Sequence, residues 1–286
     1  MTAKRLSAVL LGVVALLLPM LMLVPASASP QQPRTIADVG DALTGPTLVV
    51  ATYNVRAASP DAGTRADLRA LLAEADALVL QEVASASKKA VISWVQAETG
   101  VKVLYSPGQA GEAIMWHPNK LILQAKGAVV LSEPTAVGNP GMTIPRKYLT
   151  WGRFQLLSPL TSSQVGVVHL VARPHVDRRR AALLKLQVAN LAKKCVDFKR
   201  PLIGGDFNVD YNDPWLDPLR NIGMLNDHEA LGWLPTFYNA SDGAARSFDQ
   251  WWFRPATQTG LRPLEHHTYA GSSDHRAVVV SFAVQW

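Results

Sequence analysis

The feature that most constrains how this chain can fold is a series of short apolar runs that recurs along most of its length. The runs are rich in β-branched and aromatic residues and are bounded by turn residues, which is typical of β-strands. Several of them, such as 277–282, are apolar on both faces, which indicates a sheet that is covered on both sides. The runs lie at 48–53, 77–80, 113–116, 148–154, 165–171, 202–203, 248–253 and 277–282.

Two other stretches have the spacing of amphipathic helices. Leucines recur every three to four positions within 68–75 and within 183–191, which predicts a helix over each stretch. Strands that alternate with helices and are covered on both faces predict an α/β (α+β) fold, in which a core of two sheets is flanked by helices.

Cys195 is the only cysteine in the 286 residues. No intramolecular disulfide can form, so the fold must depend on its apolar core. With 48% hydrophobic residues the chain is long and apolar enough to build one. Since Cys195 follows the second predicted helix, we expect a buried, inert thiol there.

The N-terminal segment has the order of a secretory signal peptide. Lys4 and Arg5 precede an apolar stretch over 6–24 and the small residues Ala26, Ser27 and Ala28. This order predicts a signal peptide at 1–28 and a secreted protein, with a retained membrane anchor as the alternative. The Pro- and Gly-containing segment 29–46 is predicted to be a linker, and 47–286 a single catalytic domain.

The charge of the chain favours an anionic partner. The formal net charge is +6, and removing 1–28 lowers Lys plus Arg from 28 to 26 against 22 acidic residues, which leaves about +4. A surplus of this size suits nucleic acid or an anionic membrane surface.

Polar residues that could catalyse a reaction or bind a metal lie at the ends of the apolar runs, where sheet enzymes place their reactive groups. They are carboxylates, amides and imidazoles without clustered cysteines. This donor set suits Mg²⁺, or Mn²⁺ or Ca²⁺, better than structural zinc. The set comprises Asn54, Glu82, His169, Asp206, Asn208, Asp249, Asp274 and His275.

Six short motifs occur in the order found in the endonuclease/exonuclease/phosphatase superfamily, which this chain therefore resembles. That family includes DNase I-like nucleases, abasic-site endonucleases, bacterial sphingomyelinases and inositol polyphosphate phosphatases. The resemblance implies a DNase I-like four-layer sandwich, with two packed, mainly antiparallel β-sheets flanked by helices. The motifs are Thr52-Tyr53-Asn54, Gln81-Glu82, His169-Leu170, Gly205-Asp206-Phe207-Asn208, Phe248-Asp249 and Ser273-Asp274-His275.

The resemblance also implies roles on the metal side of the site. Glu82 would be the central metal ligand, with Asn54 beside it and Asp274 as a further ligand. Asp206 would orient or deprotonate the attacking water. Asn208 would contact the substrate phosphate.

The remaining roles concern the phosphate. His275 would contact the scissile phosphate and be held by Asp249, while His169 would act on the phosphate or the leaving group from the other side. Arg146 resembles an arginine that several members place on the phosphate. The sequence departs from the family at Val167-Val168-His169, where Asn-Thr-His is common.

The expected function is a secreted, Mg²⁺-dependent DNase I-like endonuclease that acts on nucleic acid. A sphingomyelinase-like enzyme for phospholipid remains open, with Trp215 and Trp233 as a candidate membrane patch. So do an inositol or nucleotide phosphatase and, as a non-enzyme, an inactive interaction module or toxin subunit. No protein partner is inferred, and a monomer is expected.

Overall fold

The computed structural model describes residues 46–108, 110–138, 142–157, 161–238, 243–255 and 260–285. The predicted signal peptide and nearly all of the predicted linker lie outside these residues. Within the described part, none of the helices combines the length and the hydropathy that a membrane crossing requires.

The elements follow one another in the alternating order that the sequence predicts. The strands are β1 (Thr47–Asn54), β2 (Ala77–Gln81), β3 (Lys102–Tyr105), β4 (Ala113–Trp116), β5 (Leu121–Ser132), β6 (Thr135–Ala136), β7 (Thr143–Ile144), β8 (Lys147–Leu156), β9 (Ser162–His169), β10 (Pro201–Asp206), β11 (Leu225–Asn226), β12 (Phe237–Tyr238), β13 (Ala245–Arg246), β14 (Asp249–Phe253), β15 (Gly260–Ala270) and β16 (Arg276–Gln285). The helices are α1 (Asp61–Glu74), α2 (Ala86–Thr99), α3 (Arg178–Val196), α4 (Asp217–Asn221) and α5 (Asp227–Leu231), and short 3₁₀ turns span Pro174–Val176 and Pro214–Leu216.

The strands form two large sheets. The first has the order β15-β16-β1-β2-β4-β3 and the second the order β11-β14-β10-β9-β8-β5. In each, one central pair is parallel, β1 with β2 and β9 with β10, and the other pairs are antiparallel. The prediction of two mainly antiparallel sheets is confirmed.

Three apolar clusters separate four layers. One lies between the outer face of the first sheet and the helices α1 and α2, one lies between the two sheets, and one lies between the second sheet and α3. Because successive strand residues face opposite ways, Trp251 packs between the sheets and Trp252 under α3, both fully buried. Truncation of either to alanine would destabilise the fold by about 3–5 kcal/mol.

Helix α2 and two long strands, β5 and β15, were not predicted from the sequence. Helix α2 has clear end signals, since Ser85 caps its first turn by accepting from Lys88 N and Gly100 ends it at φ 74°. Strands β5 and β15 lie at sheet edges and are only half buried. Their mixed polar pattern therefore lacks the continuous apolar run of a central strand.

Cys195 lies on α3 with its thiol fully buried, and this burial raises its pKa to about 12. We expect the native protein to resist iodoacetamide at pH 8, because the thiol is both protonated and shielded. Mass spectrometry should show no alkylation in buffer and complete alkylation in guanidinium chloride. Native labelling at the rate of a free thiol would contradict the packing of α3 on the second sheet.

Candidate active site

Three predicted site residues lie in one row across the second sheet. Asp206 ends β10 and pairs in register with His169 at the end of β9 and with Asp249 at the start of β14. Strand alternation in a pleated sheet sends residues that are paired across adjacent strands to the same side. The row therefore gathers two carboxylates and an imidazole at one edge of the sheet.

The first sheet brings its own polar residues to the same edge. Asn54 ends β1, Glu82 directly follows β2, and His275 directly precedes β16. Asn54 joins the two sheets, because its Nδ2 donates to Asp206 Oδ2 at 3.0 Å and to Glu82 Oε1 at 3.3 Å. The separate strand ends that the sequence singled out thus form one site.

Unusual backbone conformations orient the side chains of Glu82 and Asn208. Glu82 has φ 63° and Asn208 has φ 56°, both in the left-handed region that non-glycine residues seldom adopt. Such conformations cost about 1–3 kcal/mol each and are concentrated at functional sites. Between β9 and β10 the backbones approach so closely that a Cβ on Gly205 would lie 2.0 Å from Val168 O, so only glycine fits before Asp206.

Asp206 is almost completely buried at the centre of the site. Its Oδ1 accepts from Asn208 N at 2.8 Å, and its Oδ2 lies 3.6 Å from His169 Nε2 and 3.9 Å from His275 Nε2. Burial is the main influence that raises the pKa of Asp206 to about 6, with Asp249 adding to it and His275 opposing it. A carboxylate with this pKa can accept a proton near neutral pH.

His275 and Asp249 form a buried pair. The ring Nδ1 donates to Asp249 Oδ2 at 2.7 Å. Burial opposes charge on this ring, but the carboxylates of Asp249 and Asp206 outweigh it and raise the pKa of His275 to about 10. At neutral pH the ring is protonated, and its Nε2 faces Asp206 as a cationic donor.

His169 has the opposite electrostatic character. Burial lowers its pKa well below the usual value, and the charges on Lys147 and His275 lower it further. The ring is therefore neutral at neutral pH and can donate or accept a hydrogen bond without carrying charge. The two histidines of the site thus differ in protonation state, which would suit them to different tasks.

The donors around Asn54 fit a hard divalent cation. Glu82 and Asp206 each direct one carboxylate oxygen at the same amide, and Glu82 Oε2 is held by Ala57 N at 2.8 Å. Two carboxylates that converge on one point concentrate negative charge, and oxygen ligands suit Mg²⁺, Mn²⁺ or Ca²⁺. Glu82 and Asn54 are the side chains that would hold such an ion beside Asp206. Asn54 would offer its Oδ1, which accepts from Arg56 N at 3.0 Å.

Asp274 and Arg146, both predicted site residues, are placed away from these contacts. Asp274 is exposed at the rim, where its carboxylate lies 3.5 Å from Arg56 Nε. Arg146 is exposed and its guanidinium binds Glu133. Neither is linked to Asp206 or Glu82 by a contact within the described residues, so metal binding by Asp274 and phosphate binding by Arg146 stay predictions.

Lys147, the neighbour of Arg146, was not among the residues predicted for the site. Its pKa is lowered by burial, while the charges of Glu112, Asp206 and Glu82 raise it in part. Glu112 is itself buried, its pKa is raised by burial, and its Oε2 has no hydrogen-bond partner in the described structure. Successive residues of a strand face opposite sides of the sheet. At the start of β8, Arg146 therefore faces solvent while Lys147, one residue later, faces the site.

A cleft of about 760 Å³ opens beside His275 and Asn208. Its lining includes two stacked phenylalanines, Phe237 and Phe248, whose ring centroids are 5.3 Å apart, and the Phe237 ring also lies 4.9 Å from the His275 ring. Its lining holds Arg173, Arg246 and protonated His275 against Asp210 and Asp213. The cleft therefore offers apolar and polar contacts rather than a strongly positive groove.

A second cluster of potential metal ligands, Asp227, His228 and His266, lies behind β14. His228 Nδ1 accepts from Leu234 N at 3.2 Å, so the ring proton is on Nε2, which donates to Asp249 O at 3.2 Å. A protonated nitrogen cannot bind a metal. The cluster instead anchors β14, as Asp227 Oδ1 does by accepting from Trp251 N.

Comparison with known proteins places this site in a family. The sequence matches the Endonuclease/Exonuclease/phosphatase family over residues 51–275, whereas no curated protein matches it. Solved structures with the same fold include TDP2 of D. rerio in complex with a single-strand DNA product, which is 15% identical with a TM-score of 0.65 and covers 82% of this chain and 98% of that one.

Two further structures show the range of the fold. The mannosyl-6-phosphatase of Bacteroides thetaiotaomicron is 18% identical, with a TM-score of 0.60 and coverage of 82% of this chain and 99% of that one. The human nocturnin catalytic domain with bound sulfate is 16% identical, with a TM-score of 0.59 and coverage of 84% and 94%. The DNase I-like fold that the motifs implied is confirmed.

The match spans most of the chain and contains the whole row of strand-end residues that the structure brings together. The chain therefore belongs to the endonuclease/exonuclease/phosphatase family, whose members are phosphoric ester hydrolases and in general depend on a divalent metal.

Proposed function

We propose that this protein is a secreted, Mg²⁺-dependent phosphodiesterase that cleaves nucleic acid as an endonuclease. The observation that carries the hydrolase assignment is the buried carboxylate of Asp206, placed 3.9 Å from a protonated His275 on one side and bonded to Asn54 on the other. The arrangement supplies a proton acceptor, a cationic phosphate contact and a set of metal ligands in one place.

Each residue of the site has its own role in the proposed reaction. Asp206 takes a proton from the attacking water, and His275, held by Asp249, contacts the phosphate oxygens as charge develops on them. Neutral His169 hydrogen-bonds the phosphate or the leaving oxygen from the opposite side. Asn208 and Lys147 would bind the remaining phosphate oxygens.

A metal ion at Glu82 and Asn54 would neutralise a phosphate oxygen and stabilise the departing oxygen. The reaction adds water to phosphorus and breaks one phosphorus–oxygen bond, which yields a phosphomonoester and a free hydroxyl group. The same residues could serve any phosphate ester, so the substrate must be argued from the surroundings of the site.

Nucleic acid is favoured by the net charge of about +4 that remains after removal of 1–28, and by the predicted secretion. TDP2, which shares the fold, is seen with a DNA product. A second candidate, hydrolysis of a small phosphate ester, is favoured by the small positive surplus of the cleft, since a long polyanion would gain little there.

A phospholipid substrate has less support in the structure. Trp215 stacks on His175, with ring centroids 4.7 Å apart, and packs partly against the core. Trp233 is half exposed and Val176, at the cleft, is largely exposed. Of the two tryptophans predicted as a membrane patch, Trp233 alone is exposed. A contact made by Trp233 and Val176 would be smaller than the predicted patch.

The reaction itself is tested with residues 29–286 in parallel assays on plasmid DNA, sphingomyelin vesicles and p-nitrophenyl phosphate. We expect DNA nicking with Mg²⁺ that EDTA abolishes. His275→Ala should lower the rate by about 10²–10⁴-fold, because the cationic phosphate contact is lost. His267→Ala is the matched control, since that histidine is exposed and pairs only with Glu74 among the described residues.

Cleavage of vesicles or of the phosphomonoester alone would replace nucleic acid as the substrate. Full activity of His275→Ala would contradict the proposed role of His275, and full activity in EDTA would contradict the proposed metal dependence.

The role of the cation at the start of β8 is tested by comparing Lys147→Met with Arg146→Met. Loss of a charge-assisted hydrogen bond to phosphate, of about 1.5–3 kcal/mol, should lower kcat/KM by about 10–150-fold for Lys147→Met. Arg146→Met should stay within about twofold, because its guanidinium is occupied by Glu133 on the surface. The reverse order of effects would restore Arg146 as the phosphate ligand.

Secretion is tested by expressing the full chain in a bacterial host and determining the N-terminus of the exported protein by mass spectrometry. Cleavage after Ala28 should give a mature chain that begins at Ser29. Recovery of the uncleaved chain in the membrane fraction would favour the anchor instead.

A further inference from the structure

A buried carboxylate outside the predicted site, Asp67 on α1, binds the loop that carries Asp274 and His275. Its Oδ2 accepts from Ser272 N at 2.7 Å, from Ser272 Oγ at 2.6 Å and from Tyr53 Oη at 2.8 Å. Only 5% of its surface is exposed. Three donors from two distant segments thus converge on a single oxygen atom.

The loop at 271–273 is packed directly against this carboxylate. A Cβ on Gly271 would lie 2.5 Å from Tyr53 Oη and 2.6 Å from Asp67 Oδ2, so no larger residue fits without a shift. On the other side of the loop, Ser59 Oγ donates to Ser272 O at 3.1 Å. The backbone and side chain of Ser272 are therefore fully engaged.

The contacts continue from this loop to the catalytic pair. Ser273 N donates to Tyr53 Oη at 3.2 Å, and Ser273 Oγ accepts from His275 N at 3.1 Å. Tyr53 immediately precedes Asn54 on β1. The phenol thereby ties the loop that leads to His275 to the strand that presents Asn54.

We propose that Asp67 is a positioning residue that, through Tyr53 and Ser272, holds the 271–273 loop so that His275 Nε2 faces Asp206. The proposal rests on the catalytic role proposed for His275. A hydrogen-bonded carboxylate is stronger than a neutral amide as an acceptor for three donors. Replacing Asp67 with asparagine therefore loosens the loop while it keeps the shape of the side chain.

Asp76 provides a matched control, because it is also a buried carboxylate in contact with β1. It accepts from Val49 N at 2.9 Å and pairs with Lys120. Its contact lies at the beginning of β1, whereas Asp67 acts through Tyr53 near the end of that strand. Asp76→Asn should weaken the fold without displacing His275.

The test combines crystal structures of Asp67→Asn and Asp76→Asn with steady-state kinetics of both variants, each alone and in a His275→Ala background. In Asp67→Asn we expect the separation of His275 Nε2 and Asp206 Oδ2 to change by about 1 Å or more from 3.9 Å. The value of kcat should fall by about 10–100-fold with KM nearly unchanged, since a displacement of this size impairs catalysis more than binding. In the His275→Ala background the same substitution should have no further effect.

Three results would overturn the proposal. They are an unmoved His275 in the Asp67→Asn structure, a loss of kcat no larger than that of Asp76→Asn, and a loss that persists undiminished when His275 is absent. If the unaltered protein hydrolyses none of the test substrates, the proposed function fails, but the two crystal structures still decide whether Asp67 positions the loop.

Discussion

The burial of Asp206 between the two sheets is the constraint on which the rest of the site depends. A carboxylate taken out of water is tolerated only when hydrogen bonds and opposite charge compensate for the lost hydration. The compensation comes from Asn54 of the first sheet, from the N–H of Asn208 and from protonated His275. Because the donors belong to different layers, the site is complete only when both sheets are assembled.

The same need for compensation explains the strained backbone nearby. Asn208, whose φ is positive, donates its N–H to Asp206, and Gly205 before Asp206 lets β9 and β10 approach closely. Glu82 leaves β2 in a similar conformation and then faces Asn54. The stability given up in these turns is recovered in the apolar clusters between the layers, where the central strands β2, β4, β10 and β14 are buried throughout.

How much of this could be predicted from the sequence depends on the range of each interaction. The central strands and their polar ends are local patterns, so the residues from Asn54 to His275 that meet at Asp206 could be proposed in advance. The sequence singled out Arg146 but not its neighbour Lys147, because short-range pattern does not fix which residues at the start of β8 face inward. The bonds from Asp67 to Ser272 join residues 205 positions apart, and no local pattern predicts such a pair.

In the proposed site, Glu82 and Asn54 bind one divalent ion beside Asp206, at the meeting point of the two sheets. Crystals of the protein soaked in Mn²⁺ and measured for anomalous scattering would test it most directly. We expect a single strong peak in contact with Glu82, and this peak should be absent from crystals of Glu82→Gln. A peak at Asp227, His228 and His266 instead, or a peak that survives Glu82→Gln unchanged, would contradict it.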